Sequence, residues 1–225
     1  MRRFIRMMAL DIKAMSFAGF IPILMVLLFS GYAVYIFSGS PEEIAGNFIN
    51  SILNFFQQFI PAFASWWVII AFYPFVEDEG AEVMFSCAYS RKILGMGRVS
   101  VFLIMFQLLN IITCITMTVI GVLDSSTILP FVLMMFVESC FYGTCGFLLI
   151  LITRNILWTL AAVFILIYAN IWGNIPIISR YFSVTVDLSR GLSISDMWMK
   201  LVGIMVLSGI FLAFGQRLFN RYRLK

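Results

Sequence analysis

What most constrains this chain is a succession of six apolar stretches, at residues 16–37, 48–75, 99–123, 128–152, 156–172 and 201–219, separated by more polar interruptions of varied length. About 20 consecutive apolar residues in a helix cross the roughly 30 Å hydrocarbon core of a bilayer. Inside lipid every backbone polar group needs a partner within the protein, which leaves helices or closed barrels, and runs of this length select helices. Only 12% of the residues are charged, against about 25% in soluble domains, and the mean hydropathy is +1.02. Six spans use up most of the 225 residues. The expectation is therefore a single all-α transmembrane domain over residues 1–225, with no independent soluble domain.

Several chemistries are excluded by what is missing. The chain has no histidine, which removes His-based nucleophilic catalysis, His-ligated metals and His proton relays. Its four cysteines, Cys87, Cys114, Cys140 and Cys145, form no C-x-x-C pair and mostly fall in apolar runs, so they read as small buried hydrophobes and no metal site is expected. No G-x-x-x-x-G-K-[ST] motif occurs. The chain therefore has no P-loop of its own and is not expected to be an enzyme.

Ahead of the spans, residues 1–15 read as an in-plane amphipathic helix, with Phe4, Ile5, Met8, Ile12 and Met15 on one arc and Arg2, Arg3, Arg6 and Lys13 on the other, the alternative being a plain basic flank that enforces orientation. Pro61 and Pro74 are placed to bend span two. Asp124–Thr127 and Thr153–Asn155 read as tight turns, so spans three and four form a hairpin. Residues 173–200 are too polar to span.

The long polar interruption at residues 77–98 carries both signs of charge. Glu77, Asp78, Glu79 and Glu82 come first, and Arg91, Lys92 and Arg98 follow an amphipathic run. Such a segment can lie on a membrane surface and be gripped by a charged soluble partner. Its order, Glu77-x-Glu79-Gly80-x-Glu82, then Ser90-Arg91-Lys92, then Gly97-Arg98, resembles the first cytoplasmic loop of ABC-2 type transporter permeases. That family's loop holds a coupling helix that docks on an ATPase. The resemblance implies a six-helix permease with a cytoplasmic coupling helix between spans two and three and short external re-entrant helices between spans five and six, at residues 173–200. It also implies two copies of a separate ABC ATPase that uses ATP and Mg, and a second permease subunit, identical or homologous. Glu77, Asp78, Glu79, Glu82, Arg91 and Lys92 are then the coupling residues. The cargo would be an amphipathic, bacteriocin-like peptide or a lipid-like compound, exported across a bacterial plasma membrane. Membrane lipid is an expected partner and nucleic acid is not. The alternative is an ATPase-independent channel or secondary transporter, which the lack of an internal repeat disfavours.

Orientation follows from charge. With six spans and an inside N-terminus, only Arg180, Arg190 and Lys200 of the 15 Lys and Arg residues face outward, as the positive-inside rule requires. Both termini and the 77–98 loop are then cytoplasmic. Glu138 is the one carboxylate expected deep in a span. It reads equally as a substrate or proton contact and as an interhelical hydrogen-bond partner for Gln107, Asn110 or Asn170. Glu138 and Asn170 are the residues expected on a substrate pathway. Trp172 and Trp198 fall where interfacial aromatic belts collect.

Overall fold

A computed structural model describes residues 12–13, 15–39, 53, 56–76, 90–121, 123, 127–171 and 194–221. The described residues are helical and contain no strand. Six α-helices follow in order: α1 Ile21–Gly39, α2 Phe63–Val76, α3 Arg98–Val119, α4 Ile128–Thr153, α5 Ile156–Ile171 and α6 Ile194–Arg221. Short 3₁₀ turns, Ser16–Phe20 and Ile60–Ala62, lead into α1 and α2, and a π-helical turn, Ile93–Gly97, leads into α3. Counting these turns, five helical segments are long and apolar enough to cross a membrane, as in a multi-pass membrane protein: Phe17–Tyr35, Phe56–Val76, Ile93–Val119, Ile128–Thr153 and Trp198–Arg221. The helix at α5 is apolar but shorter.

Two boundaries move relative to the sequence. The third span begins at Ile93 rather than Val99, because the helix continues unbroken through the glycine-containing turn before Arg98. The last helix begins at Ile194, so Asp196 and Lys200 belong to α6 and not to the external segment. The amphipathic helix over residues 1–15 and the turn at 124–126 lie largely outside the described residues. So do the loop from 77 to 89 and most of the external segment.

α4 is the centre of the bundle. Its apolar window is 72% buried and that of the second span 67%, against 17% for the first span and 22% for the last. Lipid is as apolar as leucine, so helices associate in a membrane by close packing rather than by water exclusion. Small residues permit that approach: a Cβ on Gly146 of α4 would lie 3.0 Å from the Ser65 Cβ of α2, tighter than most side-chain contacts. The two helices run parallel, with Phe56 stacked on Phe131 at one end (6.2 Å between centroids) and Phe72 against Phe147 near the other (4.6 Å). Pro61 sits in the 3₁₀ turn at the head of α2, where its missing N–H costs least, while Pro74 lies inside the last turn of the helix. Trp66 and Trp67 donate Nε1–H to the carbonyls of Ala18 (2.9 Å) and Gly19 (2.7 Å), tying α2 to the turn that opens α1.

The α4–α5 junction is short because its residues cap both ends. Arg154, at φ 52°, takes the left-handed conformation that ends α4. Asn155 Oδ1 then accepts from the Leu157 and Trp158 amides at 2.9 and 3.3 Å, an N-cap for α5. The expected turn at 153–155 is thus in place. Cys114, Cys140 and Cys145 are free and buried, as their apolar setting predicts.

Candidate functional site: a fastened loop exit and a buried polar level

α2, α4 and α6 end, and α3 begins, at one end of the bundle, which carries Arg91, Lys92, Arg98, Arg154, Arg217 and Arg221 and is called here the basic end. Chain leaving the 77–89 segment enters this end at Ser90. Arg91 and Lys92 form the first exposed helical residues, and the ladder then widens into the π-turn Ile93–Gly97. The cause is a side chain from another helix. Gln216 of α6 accepts from the Met96 amide at 2.8 Å through Oε1 and donates through Nε2 to the Arg91 carbonyl at 3.1 Å. It thereby takes the two backbone groups that would otherwise bond near each other in the helix, and the insertion of a side chain into the ladder widens the turn. Nε2 also donates to Asn220 Oδ1 at 2.7 Å, and Arg91 Nη1 donates to the Asn220 carbonyl. Gly95 makes room: a Cβ there would overlap Gln216 Oε1.

One turn further, Arg98 does not extend the basic surface of the loop, as the sequence suggested. It is 1% exposed. Its guanidinium carbon lies 4.8 Å from the Phe75 ring centroid and 5.6 Å from that of Phe72. Phe219 of α6 packs edge-on against both rings, at 5.4 and 5.8 Å. Phe147 of α4 lies 4.6 Å from Phe72 and 6.4 Å from Phe219, so α2, α3, α4 and α6 share one aromatic cluster around a buried cation. A desolvated cation–π contact contributes about 2 kcal/mol, and each aromatic pair roughly 0.5–1.5 kcal/mol.

Of the expected coupling residues, Arg91 and Lys92 are at this junction, while Glu77, Asp78, Glu79 and Glu82 lie outside the described residues. Gln216 was not picked out by the sequence reading. Its signal is a Gln–Asn pair four residues apart near the end of α6, and it acquires meaning only once Gly95 is seen opposite it.

Deeper in the bundle, Glu138 is buried on α4. Neither Gln107 nor Asn110 bonds to it. Gln107 Nε2 donates to the Val132 carbonyl at 3.3 Å, and Asn110 Nδ2 donates to Gln107 Oε1 at 3.5 Å, leaving Glu138 Oε2 without a partner among the described residues. Asn170 is in the last turn of α5, its side chain outside the description. Trp198 is exposed at the start of the apolar part of α6, in keeping with a belt position. An open apolar groove of about 290 Å³ lies between the second span and α5, lined by Phe63, Trp66, Leu160, Val163 and Phe164 among others. Comparison of the chain with protein-family models, with curated proteins and with solved structures returns no match.

Proposed function

We propose that the chain is the permease subunit of an ATP-driven exporter of the ABC-2 type, working as a pair of permeases on two copies of a separate ATPase. The observation that carries the reading is the fastening of the loop exit. Residues 90–97 are bonded to α6 through Gln216 and run straight into the Arg98 aromatic cluster. A displacement delivered to the 77–92 loop by an ATPase would therefore move α3 and α6 together, with little slack. Glu77, Asp78, Glu79 and Glu82 supply charge for the ATPase dock, and Arg91 and Lys92 border it. ATP binding closes the ATPases, and the permease pair shifts between inward-facing and outward-closed arrangements, the equilibrium moving only as far as the two states differ in affinity for the closed ATPases.

In this reading α5 also crosses the membrane, as the fifth of six spans. Its 16 residues measure about 24 Å, short of the roughly 30 Å core, and a short span is accommodated by local thinning of the bilayer. The basic end is cytoplasmic, in keeping with the positive-inside rule. The chain then lies in a bacterial plasma membrane, and an amphipathic peptide or lipid-like molecule is its cargo.

The test is retrieval of the ATPase. Affinity-tagged chain, purified from its source membranes in mild detergent, is irradiated with 8-azido-ATP. A nucleotide-labelled polypeptide co-purifies with the wild type and is lost with the combined Glu77→Lys, Glu79→Lys and Glu82→Lys reversal, which leaves insertion and expression unchanged. Absence of any nucleotide-labelled partner from the wild type sinks the reading and favours a transporter that needs no ATPase.

A further inference from the structure

α6 packs along one face only, its apolar window being 22% buried. Leu201, Ile204, Ser208, Gln216 and Phe219 are the side chains it turns to the bundle. A helix advances about 100° per residue, so the side chains two positions before and two positions after Phe219 each point about 200° away from it. Those positions are Arg217 and Arg221, and both are exposed. They straddle the line opposite the buried face, about 40° apart and one turn from each other. Val206, Ile210 and Phe214, all exposed, continue the same outward column into the span.

The rise of the helix fixes the depth of this pair. Trp198 is exposed at the start of the apolar part of α6. The nineteen residues from there to Arg217 span about 29 Å, which sets Arg217 at the opposite edge of a roughly 30 Å core. Arg221 is about 6 Å further out, in the headgroup layer. Neither guanidinium has a hydrogen-bond or ion-pair partner among the described residues, and no Asp or Glu occurs in residues 201–225. The carbonyl end of α6 contributes roughly half a negative charge, which two guanidinium groups outweigh.

We propose that Arg217 and Arg221 clamp the phosphate of an anionic phospholipid, with one acyl chain lying along Val206, Ile210 and Phe214. A guanidinium can pair with phosphate oxygens through two parallel N–H bonds, and two of them one turn apart take oxygens from either side. The headgroup carries net negative charge: a zwitterionic one would bring its own cation to a site that already offers two. The proposal needs only that α6 crosses the membrane, so it stands or falls separately from the ATPase reading above.

The probe is phosphatidylglycerol with a diazirine on one acyl chain, and the protein is the full chain in phosphatidylcholine nanodiscs. Irradiation followed by peptide mass spectrometry is expected to place the label on residues 206–214. Phosphatidylcholine carrying the same diazirine measures ordinary contact with surrounding lipid, and the anionic probe should exceed it there. A basic residue near the headgroups is worth about fivefold in that preference. Arg217→Gln and Arg221→Gln should therefore each lower the ratio about fivefold, and together abolish it. The paired Arg217→Lys and Arg221→Lys variant keeps the charge but not the forked donors, and should keep only part of the ratio. Both arginines point away from the bundle, so all these variants should melt like the wild type in phosphatidylcholine alone. Added phosphatidylglycerol should then raise the melting temperature of the wild type and not of the double Gln variant, a readout independent of labelling. Equal labelling of wild type by the two probes overturns the proposal, leaving surrounding lipid only. So does an undiminished ratio in the double Gln variant, or in the double Lys variant, which would reduce the site to diffuse surface attraction. Loss of the label on adding inorganic phosphate also overturns it, in favour of a site for a free anion.

Discussion

If Gln216 is what opens the π-turn, removing its amide should have a cost that depends on Gly95. The side chain makes three hydrogen bonds, to the Met96 amide, the Arg91 carbonyl and Asn220 Oδ1, and is 5% exposed. At about 1 kcal/mol each, Gln216→Leu forfeits about 3 kcal/mol. For a chain of this length that corresponds to a fall in melting temperature of about 6–12 °C. Gly95→Ala should destabilise as well, since its Cβ would overlap Gln216 Oε1 and force the amide out. The decisive measurement is the cycle of Gly95→Ala with Gln216→Ala. Once the amide is gone the site can close into a regular α-turn, and there alanine should gain about 1 kcal/mol over glycine from helix propensity. Thermal unfolding of the four proteins in one detergent, followed by intrinsic fluorescence, checks this. Effects that add to within about 0.5 kcal/mol would refute the account of the π-turn, since independent sites behave in that way. So would a stabilising Gly95→Ala in the wild-type background.

Further outcomes follow from the same packing. Phe75→Leu should cost about 2 kcal/mol, part from the smaller side chain and part from the lost ring beneath Arg98, measured by the same unfolding assay; an unchanged melting temperature would show that the cation needs no such ring. Glu138→Gln should lower transport into proteoliposomes while leaving the melting temperature nearly unchanged, because the carboxyl group has an unpartnered oxygen to begin with; early melting with normal transport per folded complex would make Glu138 structural. In a background without native cysteines, single cysteines at Ser40 and Ser193 should react with an impermeant thiol reagent on intact cells and one at Ser90 should not. Labelling at Ser90 from outside would invert the proposed orientation.

The apolar spans and their approximate limits were legible because a bilayer imposes length and hydropathy so strictly that little else is needed to find them. The turn at Arg154 and Asn155 was legible for a local reason, as its capping residues are neighbours in sequence. Arg98 was misplaced. Sequence pattern groups it with Arg91 and Lys92, but each helical residue turns about 100°, and by position 98 the helix points its side chain at Phe72 and Phe75. Nothing in the local sequence announces aromatic rings that lie more than twenty residues away. The start of α6 was set too late for a related reason: Asp196 and Lys200 lower the hydropathy without interrupting the helix. The role of Gln216 could not be read at all, because an amide in a span becomes informative only when the groups opposite it are known.

The wedge that Gln216 drives into the third span also bears on the order in which the protein is made. Its two backbone partners, Met96 and Arg91, precede it by 120 and 125 residues. A ribosome has therefore released the whole of α3, α4 and α5 before the residue that reshapes the root of α3 exists. Until then, the stretch around Gly95 has no inserted amide to keep its ladder open and can close as an ordinary helix. The final contour of the loop exit, and of any surface built on it, belongs only to a chain whose last helix has been inserted and packed. Nascent chains that stall before α6 would thus lack this contour.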